Sequence, residues 1–330
     1  MSRQHHHGSE DHGHSHGITD PILLTTQRGI WAVKWSCWGL LATAVIQGWI
    51  VYLSGSVALL ADTLHNVGDA LTAIPLWVAF LLARWRPTTR FTYGYGRAED
   101  LAGVIIVLTI LASALMVAYE SIDRLFHPQA VEHLEAVVMA AVVGFGGNEA
   151  VARLRLKVGE EIGSAALIAD GHHARVDGLT SLTVLFSALG IWLGFPLADP
   201  LIGLFIAVVI LKIAWGSCKM VFLRLLDAVD PAVVAEIREV ASQTEGVLEV
   251  TDTRVRWLGH RLHTELNLAL RPRLTIEQGH EIAMEVRHNL LHRLQYLSTC
   301  TIHLDPATAS GEIHHRIGNH THDNLPSHSH

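Results

Sequence analysis

His65 and Asp69, and again His173 and Asp177, stand four residues apart inside otherwise apolar stretches, Ala61-Asp-Thr-Leu-His65-Asn-Val-Gly-Asp69 and Ala169-Asp-Gly-His-His173-Ala-Arg-Val-Asp177. On an α-helix, positions i and i+4 lie one turn apart on one face, so each pair directs an imidazole nitrogen and a carboxylate oxygen toward one point. Two such helices facing each other supply four ligands, the number Zn²⁺ takes, from two of its usual donor types. A single pair also reads as a buried hydrogen-bonded contact. The duplication, each copy preceded by Ala-Asp, favours one tetrahedral site built from His65, Asp69, His173 and Asp177.

Neighbouring residues take lesser roles. His172 lies about 100° around the helix from His173 and reads as a packing or supporting residue. Asp62 and Asp170 each precede a site histidine by three positions and are candidate entrance acids, Asp62 toward the extracytoplasmic side and Asp170 toward the cytoplasmic side. A local cap or a hydrated acid is the plainer reading of both. Arg175, well inside an apolar stretch, requires a carboxylate or water.

The elements that must position these groups are membrane helices. The chain has 330 residues, 50% hydrophobic and only 17% charged, with a mean hydropathy of +0.31. That balance is poorer in charge than a soluble domain. The net charge of −7 is dispersed and no basic stripe alternates with aromatics, so nucleic acid is not an expected partner. Cys37, Cys218 and Cys300 are far apart, which gives neither a disulfide framework nor a thiolate metal site. The first 17 residues have no apolar core of the kind a cleavable signal peptide carries.

Six spans of roughly 18 residues or more, enough to cross the hydrocarbon core, are expected at about 30–53, 57–83, 99–120, 135–152, 164–193 and 198–222. Ionisable groups in such spans mark an ion or proton route. The turn Ser54-Gly55-Ser56 makes the first two antiparallel neighbours. Arg84, Arg86, Arg90 and Arg97 between spans two and three, Arg153, Arg155 and Lys157 between four and five, and Lys219 and Arg224 at the end of six place both termini in the cytoplasm. The opposite loops carry only Arg124. Gly144, Gly146, Gly147 and Asn148, followed by Gly163, Ser164, Ala165 and Ala166, suit close packing of spans four and five.

Four segments follow: a His-rich arm and lead-in over 1–29, a membrane domain over 30–226, a small C-terminal domain over 227–306, and a His-rich tail over 307–330. The arm carries His5, His6, His7, His12, His14 and His16. The arm and tail are too polar to fold and would capture transition metals weakly. The third segment predicts a helix over 231–244 ended by Gly246, strands over 247–257 and 261–271, an amphipathic helix over 275–294 and a strand over 297–304. The expected fold is therefore an α-helical membrane protein with six transmembrane helices and an α+β domain of order α-β-β-α-β. About 80 residues is a small independent core, which dimer contacts would help.

The HNVGD and HARVD pairs, the run Phe91-Thr-Tyr-Gly-Tyr-Gly-Arg-Ala-Glu99, the six spans and the α-β-β-α-β order together resemble the cation diffusion facilitator family of metal/proton antiporters, over residues of about 30 to 306. The resemblance implies a homodimer in a bacterial inner membrane, a cytoplasmic ferredoxin-like or metallochaperone-like domain, and export of Zn²⁺ in exchange for H⁺. It makes Arg97 and Asp227 similar to an interlock near the cytoplasmic end of the membrane dimer; a topology-setting arginine and a hydrated acid are the alternative. It also makes His280, His303 and Asp305 similar to ligands of a cytoplasmic regulatory metal site. A further histidine of some relatives falls at Thr251, leaving His260 or His263 as substitutes. Phe91 and Tyr95 stand where some relatives bind metal between spans two and three, so no metal is expected there. Alternatives are a Co²⁺, Ni²⁺, Cd²⁺ or Mn²⁺ exporter, a membrane-anchored metal sensor, and a membrane zinc protease. For the last, no HExxH motif is present and four protein ligands leave no position for water.

Overall fold

The computed structural model describes residues 21–54, 63, 68, 73–127, 134–195 and 197–311. Among the described residues the membrane body is built from the helices α1 (Pro21–Ser54), α2 (Ile74–Leu82), α3 (Arg97–Phe126), α4 (Leu134–Ile162), α5 (Ala165–Trp192) and α6 (Ala198–Leu225). Five of these, all but α2, are long and apolar enough to cross a bilayer. Of the second span, Ile74–Leu82 is described as a helix, and Thr63 and Gly68 as single helical positions. Residues 1–20 of the His-rich arm and lead-in, residues 312–330 of the His-rich tail, and Asp62, His65 and Asp69 lie outside the described residues, whereas 21–29 begin α1 and Ala307–Ala309 form a 3-10 turn.

The outer surface of this body is apolar and its interior carries the polar groups. Trp35, Trp38 and Trp49 of α1, Leu108 and Leu115 of α3, and Phe205, Val208 and Trp215 of α6 face outward. Gln47, Asn148, Arg155, Asp170, His173 and Asp177 are buried. A lipid-facing helix surface needs no polar partners, whereas an ionisable group at that depth must face the bundle. Ile106, Ile110, Leu167, Val176 and Ile210 fill the space between α3, α5 and α6.

Spans four and five differ from the sequence expectation in an instructive way. Arg153, Arg155 and Lys157 lie within α4, which continues to Ile162, rather than in a loop. Val151, Ala152, Arg155, Val158 and Ile162 are all buried, so a helical period of inward positions runs straight through the charged stretch, while Arg153, Lys157 and Glu160 point out. The turn to α5 is only Gly163-Ser164. Gly163 takes a φ of +70°, the left-handed region open to glycine, and Ser164 caps α5 by accepting from the Leu167 amide at 3.1 Å. Close approach continues along the pair: a Cβ on Gly171 would lie 2.8 Å from the Leu156 side chain.

The C-terminal domain has the expected order: α7 (Pro231–Gln243), β1 (Val247–Leu258), β2 (Arg261–Leu270), α8 (Ile276–Arg293) and β3 (Leu297–Pro306). β2 lies in the middle, antiparallel to β1 and parallel to β3. Leu262, Leu266, Leu268 and Leu270 of β2 point to one face, where Ile237 and Ala241 of α7 and Val286 and Leu290 of α8 cover them. Asp230 caps α7, and Thr275 with Gln278 forms a capping box on α8.

Candidate metal transport site

The sequence of α5 places His173 and Asp177 one turn apart on its buried face. Their side chains are 1% and 5% exposed, and Nδ1 of His173 lies 3.7 Å from Oδ1 of Asp177. The helix ladder at this point is decorated by hydroxyls: Thr180 donates to the Asp177 carbonyl at 2.7 Å and Ser181 to the same oxygen at 3.3 Å. An imidazole and a carboxylate are thus presented together in an apolar interior, the donor types a borderline transition metal takes. His65 and Asp69, the other half of the expected set, lie outside the described residues, and among those described no group of three or more His, Cys, Asp or Glu is assembled for a metal. His172 is only half-buried on its own side of the helix.

Asp170, one turn before His173, is completely buried and faces Arg155 of α4, with Nη1 3.1 Å from Oδ2. Sequence reasoning sets Arg155 in a loop and so misses this pair; the period of buried positions through α4 is the signal that could have found it. Arg175 finds the carboxylate it requires in Glu149 of α4, with contacts of 3.2 and 3.3 Å, and Arg153 joins Glu149 from the other side at 2.8 Å.

At the end of the bundle facing the C-terminal domain, Arg97 Nη2 meets Asp227 Oδ1 at 2.5 Å, and Arg97 Nη1 lies 3.6 Å from Asp100. The two residues singled out as an interlock are therefore in contact within one chain. Beside them lies a junction the sequence did not reveal. The β1–β2 hairpin tip, Gly259-His260, enters a socket between the membrane helices. His260 Nδ1 lies 2.6 Å from Oε2 of Glu99, Ser164 donates to Oε1 of Glu99 at 2.6 Å, and Thr26 Oγ1 lies 3.0 Å from His260 Nε2. Arg224 donates to the Gly259 carbonyl at 3.0 Å and stacks over Trp257. Two acids, Glu99 and Asp100, opening an otherwise apolar span were the available sign that this helix end is partnered.

This socket bears on the second expected metal site. His303 Nε2 lies 3.0 Å from Oδ1 of buried Asp305, and His280 is exposed in the first two turns of α8. His260 is engaged with Glu99 instead of with these residues. His263 pairs across the sheet with Thr299, whereas His303 pairs with Asn267, four residues further along β2. At about 3.3 Å per residue that separates the two histidines by about 13 Å, too far for one ion within a chain. Thr251 uses its hydroxyl on the Asn267 carbonyl at 3.2 Å. His303 and Asp305 are thus the pair brought together, and neither substitute histidine joins them.

Comparison with known proteins gives matches over both domains. The family model for the cation efflux transmembrane domain matches residues 33–226, and that for the cytoplasmic domain of cation efflux proteins matches 229–307. A "probable cation efflux system protein" of Mycobacterium tuberculosis is 51% identical over 303 residues, 91% of each chain. A manganese efflux system protein of Bacillus subtilis is 26% identical over 259 residues, covering 76% of this chain and 87% of that one. Among solved structures, a manganese form of the MamM C-terminal domain is 27% identical, covers 23% of this chain and 95% of that one, and has a TM-score of 0.22.

Proposed function

The chain belongs to the cation efflux family, the cation diffusion facilitators, and from that premise we propose that it exports Zn²⁺ in exchange for H⁺. It is an integral, multi-pass membrane protein and a divalent metal cation efflux transporter, not an enzyme in the usual sense. The finer reading is alternating access around His65, Asp69, His173 and Asp177. The observation that carries it is the burial of His173 and Asp177 side by side on apolar α5.

In this reading Zn²⁺ enters from the cytoplasm and binds two neutral imidazoles and two ionised carboxylates, whose charge balances that of the metal. On the far side protons compete for the same lone pairs. An ordinary imidazole titrates near about 6.5, close enough to ambient pH for protonation to release the metal and couple its exit to proton entry. The proposal extends to a homodimer in the plasma membrane with both termini cytoplasmic, in keeping with the cytoplasmic assignment of the family's C-terminal domain. His303 and Asp305, with His280, are proposed as the core of a regulatory metal site there, and Arg97 with Asp227 as an interlock.

A manganese exporter is the second reading, favoured by the name of the Bacillus subtilis relative. Two imidazoles suit Zn²⁺ better, since Mn²⁺ prefers all-oxygen sites. Flux decides between them: purified protein in vesicles under an opposing proton gradient should move Zn²⁺, and Asp177→Ala should abolish it. Undiminished uptake by that variant would remove the site assignment, and Mn²⁺ moving faster than Zn²⁺ would replace the cargo.

A further inference from the structure

The Arg155–Asp170 pair lies outside the four expected ligands. Both side chains are essentially inaccessible, at 1% and 0% exposure. Burying an ion pair this completely is a poor source of stability, because the desolvation of two charges rivals their attraction. Where such a pair is structural it is usually a bidentate fork with its remaining donors and acceptors satisfied. This one is a single approach. Nη1 of Arg155 reaches Oδ2 at 3.1 Å and donates a long hydrogen bond to the Asp170 backbone carbonyl at 3.5 Å. Nε and Nη2 of Arg155 have no hydrogen-bond partner among the described residues, and neither carboxylate oxygen of Asp170 receives a well-aligned hydrogen bond there. Apart from that one long hydrogen bond to the backbone carbonyl, Coulomb attraction joins the guanidinium to the carboxylate, so the carboxylate can take another cation without the loss of a side-chain network.

Position supplies the second half of the argument. Asp170 precedes His173 by three residues, about 4.5 Å along the axis and near the same face of α5. The start of α5 is the end that meets the C-terminal domain, since its capping Ser164 donates to Glu99, which holds His260. Asp170 therefore lies between the domain side of the bundle and His173.

We propose that Asp170 is a transient subsite for a divalent transition-metal cation on its way to His173 and Asp177, and that Arg155 is its tethered counter-cation, occupying the carboxylate while cargo is away. This rests on the transport reading above. The guanidinium makes the subsite weak by competing with the cation, and a passage site must release what it takes. It also keeps a lone buried carboxylate from collecting a proton or an ion between cycles. Arg155 acts through Asp170 and is a positioning residue; only Asp170 touches cargo.

The test is Zn²⁺ flux against Zn²⁺ concentration for the full chain in proteoliposomes, with wild type, Arg155→Gln, Arg155→Lys, Asp170→Asn and the neutral double variant. One charge-dependent contact is worth about a tenfold change in an equilibrium constant. Arg155→Gln should lower the half-saturating Zn²⁺ about tenfold and depress the maximal rate, because the freed carboxylate retains the ion. Asp170→Asn, and the double variant, should raise half-saturation about tenfold with the maximal rate largely kept. Arg155→Lys should stay near wild type. If a single variant does not assemble, the double decides. Half-saturation within about twofold of wild type in the double variant, or failure of the double itself to fold, would make the pair structural and overturn the proposal. Absence of flux in wild type would instead overturn the transport reading and is seen separately.

Discussion

His260, at the tip of the β1–β2 hairpin, lies with Nδ1 2.6 Å from Oε2 of Glu99 at the start of α3, and both side chains are 1% exposed. With the Nδ1 proton donated to the carboxylate, Nε2 accepts from the Thr26 hydroxyl, 3.0 Å away. The same carboxylate receives the hydroxyl of Ser164, which caps the helix bearing His173. The hairpin is thereby tied to α3 and α5 through one carboxylate and to α1 through the His260 ring. Removing one partner of a buried hydrogen bond to a carboxylate costs about 2 kcal/mol, so Glu99→Ala and His260→Ala should each lower the melting temperature of the detergent-solubilised protein. Both should also speed proteolysis in the segment 227–230. Wild-type cleavage rates in both variants would mean that the hairpin contact does not hold the domains together.

Arg97 and Asp227 should behave differently. Their side chains are 38% and 44% exposed, and a solvated pair contributes only about 0.5 kcal/mol. Neutralising either should therefore leave thermal stability nearly unchanged while altering flux, if the pair orients the domains during the cycle. The charge-reversed double variant, Arg97→Asp with Asp227→Arg, should recover flux that either single reversal loses. A double variant no better than the singles would reduce the contact to a surface ion pair. Asp227 takes a φ of +59°, so Asp227→Gly, which keeps the turn and drops the charge, separates backbone from electrostatics.

Much of this architecture could be read from residues alone, and the reasons are local. The α-β-β-α-β order was legible because Leu262, Leu266, Leu268 and Leu270 alternate with polar residues, and because Val286 and Leu290 repeat at helical spacing; each pattern reports one buried face. That His173 and Asp177 would be buried together on one face was legible because they stand four residues apart in an apolar span, where an ionisable group must face the bundle. Arg155 was not, since a basic residue near a span end is read first as a loop residue, and only the continued period through Val158 and Ile162 contradicts that. Glu99 was not, because its partner His260 is 161 positions away and no local spacing encodes such a contact.

Selectivity offers a prediction on the half of the site outside the described residues. A third carboxylate in place of an imidazole makes a ligand set harder and less particular about zinc. His65→Asp should thus narrow the ratio of Zn²⁺ to Cd²⁺ or Mn²⁺ flux, measured with each ion under the same proton gradient. A ratio identical to wild type would remove His65 as a discriminator while leaving His173 and Asp177 untouched.

Acid should loosen the C-terminal sheet through His263. Burial, then the guanidinium groups of Arg256 and Arg261, push its pKa down to about 4 from the ordinary 6.5. Arg256 is its neighbour across the antiparallel ladder and Thr299 its neighbour on β3. The unfolded chain binds a proton below about 6.5 that the folded chain refuses until about 4, so between those values each fall in pH favours unfolding. The contribution is complete above 6.5 and lost on the way down to 4. Because solvent reaches part of the ring, its size is held to about 1 kcal/mol. Hydrogen exchange of the β2 amides in the full chain, corrected for intrinsic rates, should accelerate from pH 7 to pH 5 in wild type. His263→Asn, which cannot titrate there, should flatten that dependence, and an equal acceleration in the variant would assign the acid sensitivity to another group.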